Sequence, residues 1–115
     1  MLPSHSPEQL AVAGQLSDEL ARYSAGLDVL LERHWDPALY RELSDHFDRM
    51  QMHAQALPRL VRSWSDLLIS RVELTQALWE SRSPRRSDGR VIALHAQHEQ
   101  LIRELRGICS GYLAN

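Results

Sequence analysis

Apolar residues recur along most of this chain at alternating steps of three and four, the period of an amphipathic α-helix rather than a strand. Leu16, Leu20, Tyr23, Leu27 and Leu30 form the first stripe, and His34 takes its next position. Leu39, Leu43, His46, Met50, His53 and Leu57 form the second, with Phe47 and Ala54 alongside. The third reads Val61, Trp64, Leu68, Val72, Thr75 and Trp79, widened by Leu60, Leu67 and Leu78. The fourth is the most regular: Val91, Leu94, His98, Leu101, Leu105, Ile108, Tyr112. No stretch alternates with period two. The pattern predicts an all-α fold, an antiparallel bundle of three to four helices in a single domain over residues 1–115.

Polar punctuation sets the expected boundaries at 6–34, 37–57, 59–80 and 88–112, with an Arg/Ser loop at 81–87. Ser6-Pro7-Glu8-Gln9 supplies a capping hydroxyl, a proline at the first helical position and Gln three residues after the cap. Asp36-Pro37 opens the second helix in the same manner, with Trp35 and Tyr40 placed to form a hydrophobic staple. Gly14 and Gly26 each weaken the first helix by about 1 kcal/mol relative to Ala unless a neighbouring helix approaches closely there. Pro58 admits two readings, because no Gly, Asn, Ser or Asp flanks it. Either a tight turn separates helices 2 and 3, the reading favoured here, or one helix is kinked at Pro58. Unbroken, residues 37–81 would run roughly 67 Å, and part of that length would need cover from another chain.

Composition narrows the function classes. The 115 residues are 43% hydrophobic and 24% charged, with a net charge of −2, which is globular and gives no overall attraction to nucleic acid or membrane. Charge is unevenly placed. Residues 1–50 hold nine acids against four arginines, and residues 51–115 hold six acids against nine arginines. Every basic residue is Arg, so lysine chemistry such as a Schiff base is excluded. A single cysteine, Cys109, precludes an internal disulfide and reads as a small buried hydrophobe. No apolar run reaches the ~20 residues of a membrane span, and Met1-Leu2-Pro3-Ser4-His5 lacks the pattern of a signal peptide. A cytoplasmic protein is expected.

Candidate chemistry rests on the histidines. In an up-down-up-down bundle, His46 and His98 fall roughly 13–15 Å from the same end, and Glu73 on helix 3 lies at that level. Two imidazoles and a carboxylate would suit a divalent transition metal, with Asp45, Asp48 and Glu99 as supporting hydrogen-bond partners. His95-x-x-His98-Glu99 is the nearest approach to a ligand motif; Glu-x-x-His, His-Glu-x-x-His and Cys–His zinc spacings are all missing. The competing reading is ordinary seam histidines bonded to neighbours. Trp64 and Trp79 share a helical spacing that suits the core, but with Arg82, Arg85 and Arg86 they are also candidate anchors for a partner, since Trp and Arg dominate interface hot spots. The Arg-rich loop is equally a solvated connector, and the slightly acidic chain argues against a main role in nucleic-acid binding.

The layout of a helix, a Trp35-Asp36 turn, a second helix and further amphipathic helices in a small acidic chain resembles the flagellar export chaperones of the FliT kind over roughly residues 10–80. That resemblance rests on layout without a diagnostic motif. It implies a cytoplasmic chaperone that shields a filament-cap subunit, with the helix 4 seam either packed within the chain or serving as the partner groove. No catalytic constellation is visible. The expected function is a non-enzymatic helical interaction module, an adaptor, small chaperone or regulator offering an amphipathic face to a protein partner or to a second copy in a homodimer. The alternative is a transition-metal-binding bundle using His46 and His98.

Overall fold

The computed structural model describes residues 6–32, 36–80 and 89–113. Among them are four α-helices, α1 (Pro7–Glu32), α2 (Pro37–Gln55), α3 (Val61–Glu80) and α4 (Gly89–Leu113), with one 3-10 turn (Pro58–Leu60) before α3 and no strand. His34 and Trp35, and the expected loop with Arg82, Arg85 and Arg86, lie outside the described residues.

Both N-terminal caps form as their sequences require. Ser6 Oγ accepts from the Gln9 amide (3.1 Å) while Gln9 Oε1 accepts from the Ser6 amide (3.3 Å), a reciprocal capping box. Asp36 Oδ1 accepts from the amides of Ala38 and Leu39 at 3.0 and 3.2 Å. These bonds satisfy donors that the first helical turn cannot pair.

Pro58 breaks the helix rather than kinking it. Leu57 adopts an extended conformation (φ −119°, ψ 98°), as the steric demand of the following proline ring dictates. Helix α2 therefore ends at Gln55. The turn is held by the Leu57 amide donating to the Ala54 carbonyl (3.1 Å) and the Leu60 amide donating to the Leu57 carbonyl (3.0 Å). Leu57 and Leu60 are both fully buried. From α4, Tyr112 Oη accepts from the Arg59 amide at 3.0 Å, and the Arg59 guanidinium lies 5.1 Å from the centre of the same ring. Burial and a tyrosine clamp do here what Gly or Asn does in a conventional turn.

The cross-helix contacts define an up-down-up-down bundle. Tyr23 meets His46 and Glu19 meets His53 between α1 and α2. Asp28 meets His95 and Ser17 meets Arg106 between α1 and α4. Ser70 meets His98 and Glu80 meets Arg90 between α3 and α4. In each pair residue numbers rise on one helix as they fall on the other, so neighbours run antiparallel. Helices α1 and α2, α1 and α4, and α3 and α4 approach closely. Helices α2 and α3 are held further apart by large side chains: Phe47 stacks on Trp64 (centroids 5.0 Å, 26°), Arg71 covers the Phe47 ring at 4.5 Å, and Tyr40 meets Trp79 edge-on at 6.4 Å. A cleft of about 340 Å³, including space open to solvent, remains on that side between Tyr40, Leu43, Arg71 and Leu78.

The first stripe is buried as expected, with Leu16, Leu20, Tyr23, Leu27 and Leu30 joined by Ala13. The others turn from the expected line. The buried set on α2 is Leu43, Phe47, Met50 and Ala54, leaving His46 and His53 at its edge. On α3 it is Trp64, Leu67, Ser70, Leu74 and Ala77. On α4 it is His98, Ile102, Leu105, Cys109 and Tyr112, with Leu101 and Ile108 half-buried. A straight helix of 3.6 residues per turn drifts away from a strict seven-residue line. On α4 the core therefore moves from Leu101 and Ile108 to Ile102 and Cys109.

The two glycines of α1 play different parts. A Cβ at Gly26 would stand 2.7 Å from Leu43 Cδ2, so α2 crosses close to the α1 backbone there; a Cβ at Gly14 would meet nothing within 4 Å. Gly14→Ala is expected to raise stability by about 0.5–1 kcal/mol through helix propensity alone. At Gly26 the same gain is offset by overpacking against the buried Leu43, which costs roughly 1–3 kcal/mol, so Gly26→Ala should be the less stable of the two variants. Urea unfolding of the two variants beside the parent ranks them.

Candidate functional site

The polar groups of the interior converge on α4. His98 is fully buried, and both of its ring nitrogens are engaged: Nε2 with Tyr23 Oη of α1 at 3.0 Å and Nδ1 with Ser70 Oγ of α3 at 2.9 Å. Tyr23 and Ser70 are themselves buried. A neutral imidazole offers one donor and one acceptor, and each hydroxyl can take either role. Either tautomer therefore leaves the Tyr23–His98–Ser70 chain satisfied, donating in one direction or in the other. Desolvation is the main force holding His98 neutral, aided by the nearby His95 and the Arg71 guanidinium, and its pKa is pushed down to about 4. Burial likewise pushes the Tyr23 phenol well above its ordinary range.

A hydroxyl bonded to an imidazole is the arrangement that activates a serine nucleophile. Ser70 is only 2% exposed and His98 is sealed, so this pair sits where no substrate atom can approach it. Cys109 is buried as well, and burial pushes its thiol up to about 11, the inert end of the thiol range.

A second polar group lies nearer the surface, beside the first on α4. Asp28 Oδ1 of α1 and Glu99 Oε1 both point at His95 Nε2, at 3.0 and 3.2 Å. Ser24 Oγ donates to the other oxygen of Glu99 at 2.5 Å. All three residues are half-buried, with Asp28 the most open of them. Among the described residues, Asp28, His95 and Glu99 form the one group of three or more His, Cys, Asp or Glu side chains whose ligand atoms lie within 4.8 Å of one another. Between α1 and α2, the buried Glu19 carboxylate accepts from His53 Nδ1 at 2.6 Å.

The expected metal set of His46, His98 and Glu73 does not assemble. His98 points to the bundle centre with both nitrogens occupied. His46 turns its ring against the edge of Tyr23 (centroids 6.3 Å, 89°), and its pKa is lowered by desolvation and then by Arg49. Glu73 is exposed on the outer side of α3. The three share a level along the axis but not a direction around it. Of the supporting partners expected for them, Asp45 and Asp48 are exposed on α2, and Glu99 serves His95 instead. The ligand-like group that does form joins helices through His95 and Asp28; in sequence its only trace is the His95/Glu99 pair four residues apart.

The candidate partner anchors separate in the same way. Trp64 is 5% exposed and stacked on Phe47, so it belongs to the core; its buried indole N–H has no hydrogen-bond partner among the described residues. Trp79 is 53% exposed. Val61, Ile69 and Val72 are likewise 62, 61 and 65% exposed. At about 100° per residue these four share one side of α3, opposite Leu67, Ser70 and Leu74. Val61, Val72 and Trp79 of the expected buried stripe therefore face outward, with Leu68 and Thr75 half-buried at its margin. No described helix is long and apolar enough to cross a membrane. No family model, no curated protein and no solved structure matches the chain.

Two outcomes follow for the His98 chain. Tyr23→Phe removes one partner of a buried nitrogen and should cost about 1–3 kcal/mol, read from chemical denaturation. His98 also makes stability pH-dependent. Its folded pKa of about 4 lies below the ordinary value near 6.5. Between those values the unfolded chain takes up a proton that the folded chain refuses. Stability is therefore lost as pH falls through this window, by roughly 3 kcal/mol in total. His98→Gln, which cannot titrate, should show a correspondingly shallower fall between pH 7 and pH 4.

Proposed function

We propose that this protein is a non-enzymatic helical interaction module, and that its docking face is the outer side of α3, occupied by a second copy of the chain. The observation that carries this reading is the stripe Val61, Ser65, Leu68, Val72, Thr75, Trp79. It contains no charge, spans roughly 27 Å, and follows the heptad spacing by which helices pair. Its large apolar members are exposed or half-buried in the isolated chain. A helix with a buried stripe on one side and an uncharged stripe on the other has one face more than a self-contained bundle needs.

The order of residues in the stripe favours a copy of itself as the occupant. About a centre at Ser70 it matches itself when reversed: Val61 falls opposite Trp79, Ser65 opposite Thr75, and Leu68 opposite Val72. Antiparallel pairing about a two-fold axis thus sets apolar residues against apolar ones, hydroxyl against hydroxyl, and the largest side chain against a small one. It also brings Arg62 of one copy toward Glu80 of the other. An isologous interface of this kind closes on itself as a dimer. By contrast, the stripe of α4 is spent on the chain's own core, so the partner groove implied by the export-chaperone resemblance is better sought on α3. A cytoplasmic setting suits such a module.

Sedimentation equilibrium across the micromolar range is expected to show a dimer that Val72→Glu converts to a folded monomer. Ile69→Cys, close to the two-fold axis, should cross-link under mild oxidation, whereas Trp79→Cys should not. A parent protein that is monomeric throughout removes the second copy as occupant. Efficient cross-linking through Trp79→Cys alone would reverse the orientation.

A further inference from the structure

The geometry points to a binding site for one divalent first-row transition-metal ion formed by Asp28, His95 and Glu99, where α1 and α4 meet. Two carboxylate oxygens, from different helices, converge on a single imidazole nitrogen at 3.0 and 3.2 Å. An imidazole nitrogen carries at most one hydrogen, so one N–H is shared between two anionic acceptors. The separations are those of ligands around a common ion: with metal–ligand bonds of about 2.0–2.1 Å, adjacent donor atoms stand roughly 3 Å apart. An ion bound here takes the place of the shared N–H hydrogen, which leaves as a proton, and is held by the nitrogen and both carboxylates.

Charge and surroundings favour the same ion class. Two carboxylates offset the charge of a dication, and an imidazole ligates in its neutral form. One nitrogen and two oxygens form a borderline donor set, suited to Zn²⁺, Mn²⁺, Fe²⁺, Co²⁺ or Ni²⁺. Glu99 is held by the Ser24 hydroxyl on its second oxygen, which fixes the direction of the first toward His95, the support that ligating carboxylates ordinarily receive. Asp28 is half-exposed, with a side-chain exposure of 49%, so solvent reaches the site and completes the coordination. The site is independent of the α3 face and of the buried His98, both of whose nitrogens are taken.

Calorimetric titration of the purified full-length chain with Zn²⁺, with the Co²⁺ visible spectrum as a report on geometry, tests the assignment. One ion per chain is expected, with a rise in thermal midpoint on loading. Asp28→Asn and His95→Gln should each abolish binding while circular dichroism stays helical. Ser24→Ala should weaken it roughly 10-fold or more through loss of Glu99 positioning. His53→Gln, at the separate pair with Glu19, should bind as the parent does. A folded parent that takes up no Zn²⁺ overturns the proposal and leaves His95 as a hydrogen-bonding link between two carboxylates. Stoichiometric uptake that survives both Asp28→Asn and His95→Gln overturns it too, by placing the ion elsewhere.

Discussion

The bundle depends on the burial of one imidazole. His98 contributes nothing favourable by leaving water, and an unpaired polar group in the interior costs about 1–3 kcal/mol. The structure meets that demand from two other helices at once, with Tyr23 from α1 and Ser70 from α3. Apolar contacts alone tolerate small slides between helices. Two hydrogen bonds to one rigid ring do not, because each has a preferred distance and direction. His98 therefore fixes the relative height of α1, α3 and α4, and the leucine layers above and below it pack in that register.

The same register brings His95 and Glu99 against Asp28 and Ser24. Being three and one residues from His98 on α4, they lie on the flank that faces α1 once His98 points inward. Two polar groups thus lie side by side on α4, one sealed at the centre of the bundle and the other reached by solvent. The two groups suit different work: the first holds helices in place, and the second presents charge to solvent.

Much of the fold was legible in the chain. Ser6 and Gln9, and Asp36 with Pro37, announce their helices by local chemistry, and that chemistry is seen in the caps. The α1 stripe from Leu16 to Leu30 is buried as its spacing predicts. What periodicity could not supply was azimuth. Apolar residues on α3 occupy two opposite sides of the helix, and a line drawn through Val61, Trp64, Leu68, Val72, Thr75 and Trp79 mixes the two. Ser70, the one polar member of the buried set on α3, reads as surface in sequence and lies inside bonded to His98. For the same reason His46, His98 and Glu73 share a level without sharing a site. The turn at Pro58 was ambiguous because its stabilising groups, Leu57, Leu60 and Tyr112, are core residues that carry no turn signature.

The wide α2–α3 side gives the molecule an uneven mechanical character. Helix α2 rests closely on α1 alone; toward α3 it leans on a few long side chains, chiefly Phe47 between Trp64 and Arg71. Helix α4, in contrast, is gripped on both flanks. Swinging α2 outward breaks fewer contacts than displacing any other helix, and the short turn at Pro58 and the Asp36 cap act as its two pivots. Local opening, where it occurs, is expected to begin with α2, so hydrogen exchange should reach its backbone amides before those around His98.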